Sequence, residues 1–248
     1  MQRNVYDRRA LDYDDVAVVA HEIGSRLLER LNYLLMKPLM ILDLGCATGA
    51  LSAQLKKRYP QATIVGLDVV WSMLAQAQKK QGFLKKWPLV CSDMKQLPFA
   101  SCCFDMIIAN QSLCFVEDLA PVMGELYRVL KVNGCLMFST LGPDTLQEIH
   151  AHIPELSATC VDMHVIGDLL LAQQFVDPVV DVEYLTAQHS NVDRMKAALG
   201  AYGIDLNLEG ALDLTYEIIY GHAWKGEPKQ LSKGGETFIP VSSLLGRR

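Results

Sequence analysis

No apolar stretch in this 248-residue chain approaches the ~20 residues needed to span a bilayer. Met1 to Asp15 carries charge throughout, so neither a secretory signal nor a membrane anchor is expected. Positive charge is not in excess: 23 Lys and Arg face 28 Asp and Glu, a net charge of −5. That argues against a general partner of nucleic acid or anionic membrane and leaves room only for a local basic patch. The seven cysteines include no CxxC pair, and Cys102 and Cys103 are adjacent, which argues against a zinc site. His150 and His152 stand two apart, so they do not share a helix face as a metal pair would. No metal is therefore expected, and the thiols read as reduced and cytoplasmic. Glycine (17) and proline (10) are too few for a collagenous or low-complexity chain.

What remains is ordinary globular composition, 50% hydrophobic and 21% charged. At roughly 150 residues per domain, one large domain over 1–248 is expected. The pattern along it alternates. Apolar residues from Asp15 to Leu35 recur at helical spacing, and Lys37-Pro38 ends the run. Leu39 to Leu42 reads as a buried strand, Ala50 to Arg58 as a helix, and Ala62 to Asp68 as a second strand. Trp71 to Lys80 is helical and Leu89 to Cys91 a short strand. Phe104 to Asn110 is the fourth strand, Leu119 to Leu130 a helix stopped by Asn133-Gly134, and Cys135 to Thr140 the fifth strand. Such alternation predicts an α/β fold, a doubly wound parallel sheet with ligands at the carboxyl ends of its strands. Beyond it, Val165 to Phe175 and Asn191 to Leu199 read as helices. Val179 to Leu185 and Thr215 to Tyr220 read as strands, and Phe238 to Val241 as a candidate edge strand.

The first strand runs into Asp43-Leu44-Gly45-Cys46-Ala47-Thr48-Gly49. A dinucleotide fingerprint would put its second glycine at Ala47, and Asp43 would set a carboxylate beside the pyrophosphate. A Gly-Lys-Ser/Thr phosphate loop is missing. Asp43 instead suits a ligand with a positive end. Asp68, ending the second strand, suits a ribose diol, and Asp93, ending the third, an adenine amino group. One such Asp alone reads more readily as a structural strand-end or cap residue; three in register with the glycine loop favour a ligand.

At these residues the chain resembles the class I methyltransferases that use S-adenosylmethionine. The resemblance spans 39–140 and rests on Leu42 to Cys46, Gly66-Leu67-Asp68, Cys91 to Met94, Leu97-Pro98-Phe99 and Phe104-Asp105. It implies a Rossmann-like, mostly parallel seven-stranded sheet with an amino-terminal helical lid. The parts would be a lid and entry helix (1–38), a cofactor core (39–140) and substrate-side elements with the final strands (141–248). It further implies that Asp43, Gly45, Cys46, Ala47 and Gly49 surround the methionine end. Asp68 would hold the ribose, Asp93-Met94 the adenine, and Asn110 would also touch the cofactor. Cys46 by itself reads as a small packing residue.

The flanks are similar to the malonyl-acyl-carrier-protein methyltransferases of biotin synthesis. The similar segments are Tyr6-x3-Ala10-x2-Tyr13-Asp14, Ser139 to Leu146, Gly167 to Leu170, Phe175 to Val179 and Glu217 to Trp224. In that family a longer helical segment precedes the final strand; here only Tyr202 to Leu214 does. The resemblance implies methyl transfer to the free carboxylate of a malonyl thioester, on a carrier protein or coenzyme A. A carboxylate is ionised at pH 7, so no general base is needed. Tyr13 would position the reactants, and Gln111, Ser112, Thr140, Tyr220 and Trp224 would wall the acceptor. For Tyr220 and Trp224, core packing is an equal reading. Asp144, before Thr145-x-x-Glu148, reads as a first-turn helix acid beside a capping box. Arg8, Arg9, Arg194, Lys196 and Lys225 are candidates for docking an acidic carrier. Two alternatives stay open: another small acid or quinone precursor as acceptor, and a non-catalytic assembly factor retaining the fold.

Overall fold

A computed structural model describes residues 3–82, 86–153, 160–206 and 208–227; the candidate strand at 238–241 lies outside the described residues. The amino-terminal segment forms α1 (Arg3–Arg9), α2 (Tyr13–Val16) and α3 (Val18–Arg30). Then come β1 (Met40–Leu44), α4 (Ala50–Arg58), β2 (Thr63–Asp68), α5 (Trp71–Lys80), β3 (Leu89–Cys91) and β4 (Phe104–Asn110). They are followed by α6 (Leu119–Val129), β5 (Leu130–Leu141), α7 (Met163–Ala172), β6 (Phe175–Ala187), α8 (Val192–Gly200) and β7 (Leu214–Lys225). The sheet order is β3-β2-β1-β4-β5-β7-β6. Strands β1 to β5 pair in parallel, and β7 runs antiparallel between β5 and β6. This is the expected seven-stranded, mostly parallel sheet with an amino-terminal helical region.

Both faces of the sheet are covered, which is why its inner strands are apolar at nearly every position. Successive side chains point to opposite faces. Ile41, Ile64, Met106, Ile108 and Met137 join the core under α3 and α4. Leu42, Leu44, Val65, Leu67, Ile107 and Phe138 join the other, under α6 and α7. The strand order reverses between β1 and β4, with Asp43 level with Ile108 on one side and Gly66 on the other. A crevice opens at such a reversal, at the carboxyl ends.

Four local expectations are corrected. The helix expected over 15–35 breaks at Ala17, whose ψ of 35° leaves the helical range, and α3 ends at Arg30. The break lets Asp14 on α2 accept a hydrogen bond from Thr48 Oγ1 at 2.5 Å. Asn133-Gly134 do not follow a helix end directly. They form an excursion within β5, with Asn133 at φ 61°, where the β4–β5 register shifts. The last two strands are longer than expected, since they pair with each other from Phe175–Lys225 to Ala187–Leu214. Thr145 and Glu148 make no capping box. Thr145 Oγ1 donates to Glu217 O at 2.9 Å, and Glu148 accepts from Thr215 N at 3.1 Å. Both pin this turn onto β7.

Candidate active site

A cavity of about 310 Å³ opens at the strand reversal. Its floor is the β1–α4 loop. Gly45 and Cys46 donate their N–H groups to Leu67 O at 2.8 and 2.9 Å, folding the loop over the end of β2. Gly45 has φ 71°, and a Cβ there would sit 2.3 Å from that of Ser112. Only glycine fits this close approach. Gly49 is also left-handed, above Ala77 and the Trp87 ring. Ala47 adopts φ 45° despite its Cβ; its N–H is held by Asp68 Oδ2 at 2.9 Å.

Three strand ends supply carboxylates to the lining: Asp43, Asp68 and Asp93. Asp43 is 2% exposed and accepts from the Ser52 hydroxyl. Burial, with Asp68 nearby, pushes its pKa up to about 7, against the Ser52 hydrogen bond. A buried carboxylate with no cation in contact among the described residues favours a cationic ligand group. Asp68 accepts from the N–H groups of Ala47 and Val70, both at 2.9 Å, and burial raises its pKa too. A carboxylate has about four acceptor sites, so these backbone bonds, with one from Val69, leave capacity for a ligand hydroxyl. Asp93 is exposed at the rim beside Met94.

The roof comes from distant segments. Tyr6 and Tyr13 approach from the amino terminus, Phe115 from beyond β4, and Tyr202 from beyond α8. The rings of Tyr6 and Phe115 meet edge-to-face at 5.6 Å. Tyr6 donates to Ala201 O at 3.1 Å, tying α1 to the turn after α8. Burial holds the Tyr6, Tyr13 and Tyr202 hydroxyls well above the ordinary tyrosine pKa, so they stay neutral. Asp14 is clamped by Thr48 and Lys80, with the Lys80 hydrogen bond helping to hold its pKa low against burial. The amino-terminal helices are thus fastened to the glycine loop.

Of the residues singled out from sequence, Tyr13, Asp43, Gly45, Cys46, Ala47, Asp68, Asp93, Met94, Asn110, Gln111 and Ser112 meet around this cavity. Gly49 shapes the loop from behind. Asn110 spends both ends of its amide inside the protein, donating to Ala20 O at 2.9 Å and accepting from Ser139 Oγ at 2.8 Å. Thr140, Tyr220 and Trp224 are not among the lining residues. Tyr220 is buried under the Arg30 guanidinium, 3.7 Å from its ring centroid. Trp224 pairs with Cys135, well back from the carboxyl end of β5. Thr140 is buried within β5, opposite Ile219. Lys225 is corrected as a docking candidate: it is 9% exposed, and its ammonium donates to Tyr127 O and Leu130 O, both at 2.8 Å. It caps the carbonyls at the end of α6. Asp144 is no helix acid: its carboxylate accepts from the Tyr184 hydroxyl at 3.1 Å. Phe115, in the loop that follows β4 with Gln111 and Ser112, joins the wall as that loop was expected to, whereas no local motif marks the role of Tyr202.

Residues 42–138 match the methyltransferase domain family. Solved structures share the fold. A SAM-dependent methyltransferase from Thermotoga maritima superposes with a TM-score of 0.63 at 17% identity, over 91% of this chain and 100% of that one. Phosphoethanolamine N-methyltransferase 2 of Haemonchus contortus, bound to S-adenosylhomocysteine, gives 0.67 at 17% identity, over 92% and 61%. Over nearly its whole length the chain is also similar to the malonyl-[acyl-carrier protein] O-methyltransferases of Legionella pneumophila and Gallionella capsiferriformans. The first is 43% identical and the second 35%, each over 97% of this chain and 95% of the relative. The matched domain, together with the full-length relatives, makes this chain an S-adenosylmethionine-dependent methyltransferase. The chain belongs to this malonyl-[acyl-carrier protein] O-methyltransferase family.

Proposed function

We propose that this enzyme methylates the free carboxylate of a malonyl thioester carried on an acyl-carrier protein, an early step of biotin synthesis. The observation that carries the chemistry is the buried Asp43 carboxylate, whose pKa is pushed to about 7, at the end of a cavity roofed by neutral phenols. The names of the full-length relatives support the acceptor. S-adenosylmethionine supplies an electrophilic methyl group on a sulfonium. Asp43 and the loop Gly45-Cys46-Ala47 would hold its cationic amino-acid end, Asp68 its ribose diol, and Asp93 with Met94 its adenine. Asn110 would support that wall rather than donate to it. Tyr13, Gln111 and Ser112 would bound the acceptor.

The residues need supply no general base, because the attacking oxygen is already ionised. Their work is alignment and the exclusion of water. Charge is neutralised as the methyl moves, so a dry site that strips water from the carboxylate favours the transition state. The aromatic roof serves that end. Arg194 is exposed on α8, and with Arg8, Arg9 and Lys196 it is our proposed landing surface for an acidic carrier, sensitive to salt. A single domain working in the reducing cytoplasm fits seven unpaired cysteines. No helix among the described residues is long and apolar enough to cross a membrane.

The test is a methyl-transfer assay with S-adenosylmethionine and three acceptors: malonyl-carrier protein, malonyl-CoA and free malonate. The carrier-bound acceptor should give the highest kcat/KM. Activity confined to free small acids would overturn the reading.

A further inference from the structure

We propose that Gln111, held in place by the Tyr202 hydroxyl, recognises the acceptor's carboxylate through its side-chain N–H group, with an uncharged donor in place of a cation. This rests on the carboxyl-methylation reading above. Gln111 follows β4 directly and is 4% exposed. Its backbone sits at φ 54°, a strained conformation for a residue other than glycine. Two hydrogen bonds from its N–H, to Ser139 O at 3.0 Å and Ser139 Oγ at 3.1 Å, hold it there. The side-chain oxygen accepts from Tyr202 at 3.0 Å. The amide nitrogen, Nε2, is buried and has no partner among the described residues. Gln111 lines the cavity, at the end where its neighbour Ser112 touches Gly45 and donates to Leu44 O. A buried donor left unmatched is unusual in a native protein and asks for an explanation. A ligand oxygen satisfies it.

The charge of the donor matters. Among the described lining residues the only basic side chains are His21 and Lys95. Burial lowers the pKa of His21, which faces Asp14. Lys95 stands at the exposed rim beside Asp93. Around Gln111 itself, Tyr13, Tyr202 and Cys114 are all kept neutral by burial. A cation against the acceptor would stabilise the ionised carboxylate more than a transition state in which that charge is vanishing. A neutral amide orients the same group with less of that penalty. Tyr202 is then a positioning residue, fixing which way the amide points.

A carboxylate also ends the amino-acid arm of the cofactor, so the test separates the two sources. Gln111→Glu keeps the shape and the oxygen for Tyr202 but replaces the donor with a charge that repels a carboxylate. With malonyl-CoA, kcat/KM at pH 7.5 should fall about 30-fold or more. The loss, measured against wild type at each pH because Asp43 titrates in the same range, should shrink toward pH 5.5. S-adenosylhomocysteine affinity by calorimetry should stay within about threefold, which also shows that the variant is folded. Tyr202→Phe keeps the ring and should raise KM for malonyl-CoA about fivefold with a smaller change in kcat. It decides the matter alone if the Glu variant does not fold. Malonyl-CoA titrated into protein saturated with S-adenosylhomocysteine should rank the variants in the same order. A folded Glu variant with wild-type kcat/KM at pH 7.5 overturns the proposal, as does a wild-type KM for Tyr202→Phe. Lost S-adenosylhomocysteine affinity with unchanged acceptor KM moves the contact to the cofactor and also overturns it. Wild-type protein that binds S-adenosylhomocysteine but neither binds nor methylates malonyl-CoA or malonyl-carrier protein sinks the acceptor reading itself.

Discussion

The floor and the roof of the cavity are built in different ways. The floor is local. Asp43, Gly45, Ala47 and Asp68 lie at the ends of β1 and β2, strands paired in register, and the loop backbone bonds to the end of β2 through Gly45 N to Leu67 O and Ala47 N to Asp68. The roof is assembled from segments far apart in sequence: Tyr6 reaches Ala201 across 195 positions, and Tyr202 reaches Gln111 across 91. A floor made of backbone geometry tolerates little change and fixes one ligand. A roof made of side chains from three separate segments, the amino terminus, the loop after β4 and the turn after α8, can be altered piece by piece, which suits the part proposed to fit an acceptor.

The largest effect should come from breaking the floor. Gly45→Ala adds a Cβ 2.3 Å from that of Ser112 on a left-handed backbone. Strain and overpacking together should cost about 3 kcal/mol of stability and abolish measurable S-adenosylmethionine binding. Thermal unfolding and calorimetry check both. Next, Asp68→Ala removes the charged acceptor proposed to hold the ribose and should cost ~1.5–3 kcal/mol of cofactor affinity. It also strips the Ala47 and Val70 N–H groups of their partner, so some stability should go with it. NADH should bind neither the parent nor this variant.

The floor also predicts opposite pH slopes for stability and binding. Asp43 titrates near pH 7 when folded, against 3.8 as its ordinary value. Between these values the folded state holds a proton that the unfolded chain has released. The associated stability is complete below the lower value and is lost as pH rises through 7. Asp68 is raised in the same direction. A ligand with a cationic end prefers ionised Asp43, so its affinity should rise about tenfold from pH 6 to 8. Asp43→Asn should flatten both curves. Parallel slopes would mean that Asp43 does not face the ligand's charge.

These regions were not equally legible in the sequence. The parallel strands are short apolar runs bounded by turn residues, and their ends carry the carboxylates, so floor and fold can be read directly. Tyr202 carries no such mark. It follows a helix in a segment without periodicity, and only the Tyr6 bond to Ala201 and the Gln111 contact give it a role. Tyr220 and Trp224 stand an even number of positions apart on β7 and so share a face, but which face meets the cavity depends on the antiparallel pairing of β7 with β5. That pairing turns Tyr220 to Arg30. Thr145 and Glu148 have the spacing of a capping box, yet Glu217 and Thr215 of β7 compete for them and win.

A smaller effect probes how the roof is tied down. Tyr6→Phe removes one hydrogen bond, to Ala201 O, and keeps the ring against Phe115. A neutral bond of this kind is worth about 0.5–1.5 kcal/mol. The change should loosen α1 more than it lowers global stability. Amide exchange should quicken within 3–9, and KM for the acceptor should rise about threefold. Exchange unchanged there would mean that packing alone holds α1.

The smallest effect belongs to a residue outside the comparison. Tyr220 is 1% exposed, and its hydroxyl has no partner among the described residues. Burial raises its pKa, and the Arg30 guanidinium covers its ring. Arg30 in turn pairs with Asp181 at 2.6 Å, so the aromatic face is part of a link between α3 and β6. Tyr220→Phe keeps the ring, the packing and the cation contact, and deletes only an unmatched hydroxyl. Removing a buried polar group without a partner should leave stability unchanged or raise it by up to ~1 kcal/mol. Because Tyr220 does not line the cavity, kcat and KM for malonyl-CoA should stay within about twofold. A tenfold rise in KM would return Tyr220 to the acceptor wall, the role the family resemblance implied for it. It would also mean that the wall extends along β7, beyond the roof formed by Tyr6, Tyr13, Phe115 and Tyr202.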